Sequence, residues 1–176
     1  FWQSELEFHV SDKSDTPLDW EKTELQNQVQ ILNFEFFASA LYFSYNFVSE
    51  GKEADEIEYK YLNEFNTDKF SFITNFIFEK QVGSTAEGST TFDLSNSLMF
   101  KDIVVEDFDL GVFGFSGFGE ISNFSVFGLQ KHQYGFLIEK ELRITDYEVE
   151  VALGLLHGFT DASADKSIIW NLEFEF

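Results

Sequence analysis

The chain contains no cysteine, which removes disulfide staples, thiolate metal sites and a cysteine nucleophile from consideration. A single proline and 11 glycines in 176 residues leave few positions that break a strand or helix, so long uninterrupted elements are expected. Basic residues are scarce: 11 Lys and Arg stand against 32 Asp and Glu, a formal net charge of -21. Such a surface repels a phosphate backbone, which excludes nucleic acid as a partner. Nowhere is there a run of about 18 apolar residues, so no transmembrane helix is expected. Strand-like alternation opens directly at Phe1 and Trp2 with no signal-like stretch, so a mature chain or a trimmed piece of a longer one is expected.

Acidity of this degree with few aromatics would indicate disorder, but here Phe alone accounts for 24 residues and hydrophobic residues for 44% of the chain. That much aromatic surface has to be buried or solvated by lipid. The length suits one domain, 1–176, with no linker or low-complexity segment to divide it.

Apolar residues recur at every second position, the period of a β-strand with two unlike faces. At the end of the chain Ile168, Trp170, Leu172, Phe174 and Phe176 alternate mostly with Asn and Glu. Near the start Trp2, Leu6, Phe8 and Val10 oppose Gln3, Glu5, Glu7 and His9. Phe70, Phe72, Phe76 and Phe78 share one face with Thr74, and Phe92, Leu94, Leu98 and Phe100 alternate with Asp93, Ser95 and Ser97. Val149, Val151, Leu153 and Leu155 oppose Glu148 and Glu150. Weaker copies fall at 56–65, 108–118, 121–129 and 134–143, separated by polar connectors at 11–21, 49–55, 66–69, 83–90, 102–107 and 160–166. Punctuation of this kind predicts a meandering all-β chain.

The stretch from Gln28 to Val48 is ambiguous, because it runs through Phe34, Phe36, Phe37, Leu41, Phe43, Tyr45 and Phe47 without a clear turn. It is either one long strand or a hairpin with a hidden turn near Ala38 and Ser39. Counted once it gives about ten strands and counted twice about eleven, an odd number that would put the chain ends on opposite sides of a membrane. The expectation is a closed antiparallel up-and-down transmembrane β-barrel of about ten strands, with roughly eight or twelve as the alternatives.

The alternating residues Ile168, Trp170, Leu172, Phe174 and Phe176 resemble the C-terminal signal of Gram-negative outer-membrane β-barrels, and residues 158–165 look like the last external loop of porin-like members. The resemblance implies residence in the bacterial outer membrane. It also implies recognition by the barrel-assembly machinery during biogenesis, and contact with the lipid bilayer and lipopolysaccharide. On that reading Trp2, Phe8, Phe70, Phe72, Phe76, Phe78, Phe92 and Phe100 face lipid. The acidic residues Glu5, Glu7, Glu58, Glu139, Glu141, Glu148, Glu150, Glu173 and Glu175 face the lumen, where charged rings select ions by sign and carboxylates favour cations. Any one of these Glu residues is also explained by a structural ion pair with Lys60, Lys140 or Arg143.

The function expected is that of a small porin-like channel passing ions or small solutes without a cofactor. A non-conducting structural, adhesion or assembly barrel is the first alternative. A soluble β-barrel with the aromatic face inward around an apolar ligand is the second. No enzyme is expected: His9, His132 and His157 show no triad spacing, and Gly114-Phe115-Ser116-Gly117-Phe118-Gly119 departs from the nucleophile elbow. No dedicated metal site is expected either, only loose binding of divalent cations at acidic loop residues such as Asp161 and Asp165 with Glu87 or Asp55.

Overall fold

The computed structural model describes residues 1–11, 19–49, 54–86, 88–103, 107–144 and 147–175, with the side chains of Ser11, Asp19, Arg143, Ile144, Tyr147 and Glu175 outside that description. Ten strands form one antiparallel sheet in which every strand pairs with its neighbours in sequence. They are β1 (Trp2–Ser11), β2 (Asp19–Phe34), β3 (Phe37–Val48), β4 (Asp55–Asn66), β5 (Phe70–Val82), β6 (Thr90–Phe100), β7 (Phe108–Glu120), β8 (Lys131–Ile144), β9 (Tyr147–Gly158) and β10 (Lys166–Glu175). One 3-10 turn at Phe127–Leu129 is the only helical element among the described residues.

The strand count agrees with expectation through two compensating differences. Gln28 to Val48 is a hairpin, turning at Glu35 and Phe36 between the partners Phe34 and Phe37, and not at Ala38–Ser39. Tight two-residue hairpins usually betray themselves by Asn-Gly or Asp-Gly at positive φ. Neither Glu35 nor Phe36 has a positive φ, so the usual signature is missing. Conversely, 121–129 is not a strand. Gly119, at φ 84°, closes β7 beside a bulge that leaves Phe118 unpaired. Phe124 then folds back to stack within 6.1 Å of Phe92 and 5.8 Å of Phe118. The apolar residues of this segment cap the end of the sheet and do not extend it.

Successive links join the strands at alternating ends: 35–36, 67–69, 101–107 and 145–146 at the end where β1 starts and β10 finishes, and 12–18, 49–54, 83–89, 121–130 and 159–165 at the other. These are called the turn end and the loop end below. The sheet is open: among the described residues β1 and β10 are its two edges and no ladder joins them, so the closure expected from sequence is not seen. With an even number of strands these edges run antiparallel to each other.

The faces segregate as the period-two pattern requires, and exposure tells which is sheltered. Along β9, Val151, Leu153 and Leu155 are 39%, 45% and 60% exposed, while Ala152 and Leu156 between them are 7% and 4%. The sheltered side is the one carrying most of the Glu and Gln residues. A cavity of about 590 Å³ at the turn end is lined jointly by β4, β5, β6, β7, β8 and β9, from Glu64 round to Glu150. At about 4.8 Å per strand spacing, β4 and β9 of a flat sheet would lie roughly 24 Å apart. Sharing one cavity requires the sheet to curl with its polar face concave.

Small residues permit the curl. Phe113 of β7 crosses the concave side until its Cζ would lie 2.7 Å from a Cβ placed on Gly154 of β9. Gly154→Ala is therefore expected to cost about 1–3 kcal/mol through overpacking, read as a lower thermal midpoint of the strand signal in circular dichroism. Gly128→Ala, where a Cβ meets nothing within 4 Å, is the control and should leave the midpoint unchanged. Equal midpoints for the two variants would contradict this packing.

Candidate functional site

The concave face is where polar chemistry gathers. The register fixes the order of its side chains: Glu7 pairs with Glu24, Glu24 with Asn46, Asn46 with Glu56 and Glu58 with Glu79. Together with Asp93 on β6 these form an acidic band toward the loop end. Lys22 and Lys60 lie within it, Lys22 with its Nζ 3.6 Å from Glu24 Oε2 and Lys60 2.8 Å from Glu58 Oε1. Lys60 also sits over the Tyr42 ring, 4.3 Å from its centroid, and the Tyr42 hydroxyl donates to Glu24 Oε1 at 3.1 Å.

A second band lies at the turn end. Glu139 and Glu141 of β8, Glu150 of β9, Asp109 of β7 and Glu64 of β4 line the large cavity with Lys101. Beside it a cavity of about 70 Å³ is walled by Glu141, Glu148, Glu150 and Glu173. Between the bands the concave face is neutral, with Ser44, Leu62, Asn75, Ser95, Phe113 and Phe115 facing the same way.

Of the carboxylates proposed from sequence, Glu139, Glu141, Glu148, Glu150 and Glu173 are brought together. Glu7 and Glu58 belong to the other band, Glu58 in an ion pair with Lys60. Glu5 shares the face of Glu7 on the edge strand, opposite Gln26. The backbone of Glu175 pairs with Glu148, but its side chain and all of Phe176 lie outside the described residues. Glu24, Glu56, Glu79 and Asp93 were not among those candidates, although alternation already sets Asp93 against Phe92. Only the pairing register, which no single segment reveals, gathers the four into one band.

On the convex face Trp2, Phe8, Phe70, Phe76 and Phe100 are exposed. Phe72, Phe78 and Phe92 share that face but are half-covered by other rings, Phe92 stacking at 5.3 Å on Phe118 and 5.2 Å from Phe78. Ile168, Trp170, Leu172 and Phe174 of the C-terminal pattern are exposed there too. A polar row crosses this face. Thr74 Oγ1 donates to Asn96 Oδ1 at 2.8 Å, and Asn63 Nδ2 donates to the Thr74 and Tyr61 carbonyls, each at 3.4 Å. Ser4 donates to Asn27 at 2.7 Å, and Ser116 bonds Tyr134 at 2.5 Å.

The histidines are dispersed. His132 lies between Phe118 and Phe127 with Nε2 on Gln130 Oε1 at 2.8 Å, and His157 Nδ1 bonds the Asp165 carbonyl at 2.9 Å. His9 alone is on the concave face, beside Glu7 and Glu24. Among the loop carboxylates, Asp55 accepts from the Val48 amide at 2.9 Å and the Tyr45 hydroxyl at 2.8 Å. Asp161 and Asp165 are exposed, and Glu87 lies outside the described residues.

No protein-family model matches the chain, and no curated protein or solved structure matches it in sequence or fold.

Crowding of carboxylates at the turn end has a measurable consequence. Glu150→Gln should raise stability by on the order of 1 kcal/mol at low ionic strength, because like charges a few Å apart in a sheltered site repel. The gain should shrink in molar salt, where the screening length falls to about 3 Å. Chemical denaturation at two salt concentrations checks it, and a loss of stability at low salt would contradict it.

Proposed function

We propose that this chain is a β-barrel of the bacterial outer membrane acting as a small channel in which carboxylate bands favour cations. The observation that carries the reading is the exposure asymmetry along β9 from Val151 to Leu156, where alternate residues are aliphatic and open on one side and sheltered on the other. In water this largely apolar surface has no covering layer; in a bilayer the acyl chains cover it. From Phe70 to Phe78 the apolar row of β5 rises roughly 27 Å at about 3.4 Å per residue. Tilted by about 40°, as such strands are, this covers roughly 21 Å of a hydrocarbon band about 25 Å tall. Lys80 follows Phe78 at the loop end on the same face, where an interface begins.

Further support comes from the connections and the polar row. Links of two or three residues at 35–36, 67–69 and 145–146, with 101–107 the exception at seven, and links of six to ten residues opposite approach the arrangement of such barrels. The convex hydroxyl and amide groups of Thr74, Asn96, Asn63, Ser4 and Asn27 hydrogen-bond one another or the backbone, as groups in lipid must. Insertion also dictates closure, since unpaired backbone on β1 and β10 costs several kcal/mol per group in hydrocarbon. The antiparallel edges are oriented to pair. The exposed Ile168, Trp170, Leu172 and Phe174 of β10 then serve as the signal for the assembly machinery. Lipopolysaccharide and divalent cations meet the exposed Asp161 and Asp165 of the loop end.

A second reading, a barrel with a filled interior that anchors or assembles and does not conduct, is favoured by one feature. Phe113, Met99 and Leu156, each at most 8% exposed, occupy the concave side. The test separates the readings. In the membrane reading the protein is extracted only by detergent and migrates differently on a gel when unheated, because closed barrels resist unfolding. In planar bilayers with a salt gradient, the channel reading predicts a reversal potential of cation-selective sign that falls toward zero in a Glu139→Gln, Glu150→Gln double variant. Heat-modifiable mobility without conductance selects the filled barrel. High solubility without detergent and no mobility shift would sink both.

A further inference from the structure

We propose that Glu7, His9 and Glu24 form a binding site for a divalent transition-metal ion of the zinc class, stapling β1 to β2 on the concave face. Glu7 and Glu24 are direct cross-strand partners, and like charges so placed destabilise a sheet unless something lies between them. His9 follows two residues after Glu7 on the same face. Its Nε2 lies 3.4 Å from Glu7 Oε2 and 3.9 Å from Glu24 Oε2, and among the described residues this is the group whose ligand atoms all fall within 4.8 Å of one another. Bonds of about 2.0–2.1 Å at tetrahedral angles hold ligand atoms roughly 3.4 Å apart, so a small inward shift brings all three onto one ion.

The imidazole supplies the independent sign of a ligand. The His9 side chain is 39% exposed, but its Nε2 is turned inward, shielded from solvent, and makes no hydrogen bond, although two carboxylates are near it. A shielded polar nitrogen without a partner is costly, and a metal ion at this point satisfies it while neutralising both carboxylates. Glu24, 9% exposed, is already oriented: Oε1 accepts from the Tyr42 hydroxyl at 3.1 Å, which leaves Oε2 for the ion in the manner of an outer-shell support. Lys22 Nζ, 3.6 Å from Glu24 Oε2, competes for the same oxygen and must swing away along its flexible stem. One nitrogen and two carboxylate oxygens favour zinc over calcium or magnesium, which take oxygen ligands throughout, and water completes the fourth position.

The experiment is a zinc chloride titration of the folded full-length chain after chelation, by isothermal calorimetry, with cobalt(II) absorption as a second readout. The expected result is one site per chain that equimolar magnesium and calcium leave unaffected. His9→Gln and Glu24→Gln should each weaken zinc binding at least tenfold, whereas Lys22→Met should strengthen it several-fold. Because Lys22→Met keeps every ligand, it tests the site even where a ligand variant fails to fold. Absence of zinc binding, unchanged affinity in His9→Gln, no gain in Lys22→Met, or loss of binding in Glu150→Gln would each overturn the proposal. All these outcomes are independent of whether the chain conducts ions.

Discussion

Cross-strand pairing at a period of two is the constraint from which the rest of this structure follows. Each ladder forces neighbouring strands to show matching side chains on the same side, so Phe72 must lie beside Phe65 and Leu98, and Glu150 beside Glu141 and Glu173. Repetition through ten strands gives one face of rings and aliphatics and one of carboxylates and amides. A slip of one residue in any pairing would exchange the two. The same ladder leaves β1 and β10 as edges, and these become tolerable once they meet each other or another layer.

The curl of the sheet turns that segregation into a difference of medium. Glycines remove the side chains that would prevent it: a Cβ at Gly135 would collide with the Leu155 carbonyl, and one at Gly154 with the Phe113 ring. Carboxylates on a concave surface feel each other more strongly than they would on an open one, since less water screens them. Lys60 and Lys22 relieve the loop-end band locally. Carboxylates still outnumber lysines on the concave face, and the proposed channel and metal site both rest on that field.

Strand existence was legible in the sequence wherever Phe, Leu or Val alternated with Glu, Ser or Asn, as in β1, β5, β6, β9 and β10. The turn at Glu35–Phe36 was hidden because it uses neither glycine nor asparagine and lies inside an aromatic run. The segment 121–129 imitated a strand because Phe124 and Phe127 serve tertiary contacts, with Phe92 and His132, that carry no period of their own. For the site, alternation placed Glu139, Glu148, Glu150 and Glu173 on a common face, but not Glu24 opposite Glu7. That pairing depends on the register of β1 against β2 and on the bulge between His9 and Val10, and neither leaves a signature within one strand.

The central claim is that hydrocarbon meets the phenylalanine face. Because the chain has no cysteine, single cysteines at Glu148, Glu150, Val151, Leu153 and Leu155 can each carry a spin label in the protein reconstituted in lipid vesicles. The account predicts a split by face: labels at 151, 153 and 155 relax with oxygen, which partitions into lipid, and labels at 148 and 150 do not. Labels at 151, 153 and 155 that instead relax with a water-soluble nickel complex, or the inverse split, would contradict it.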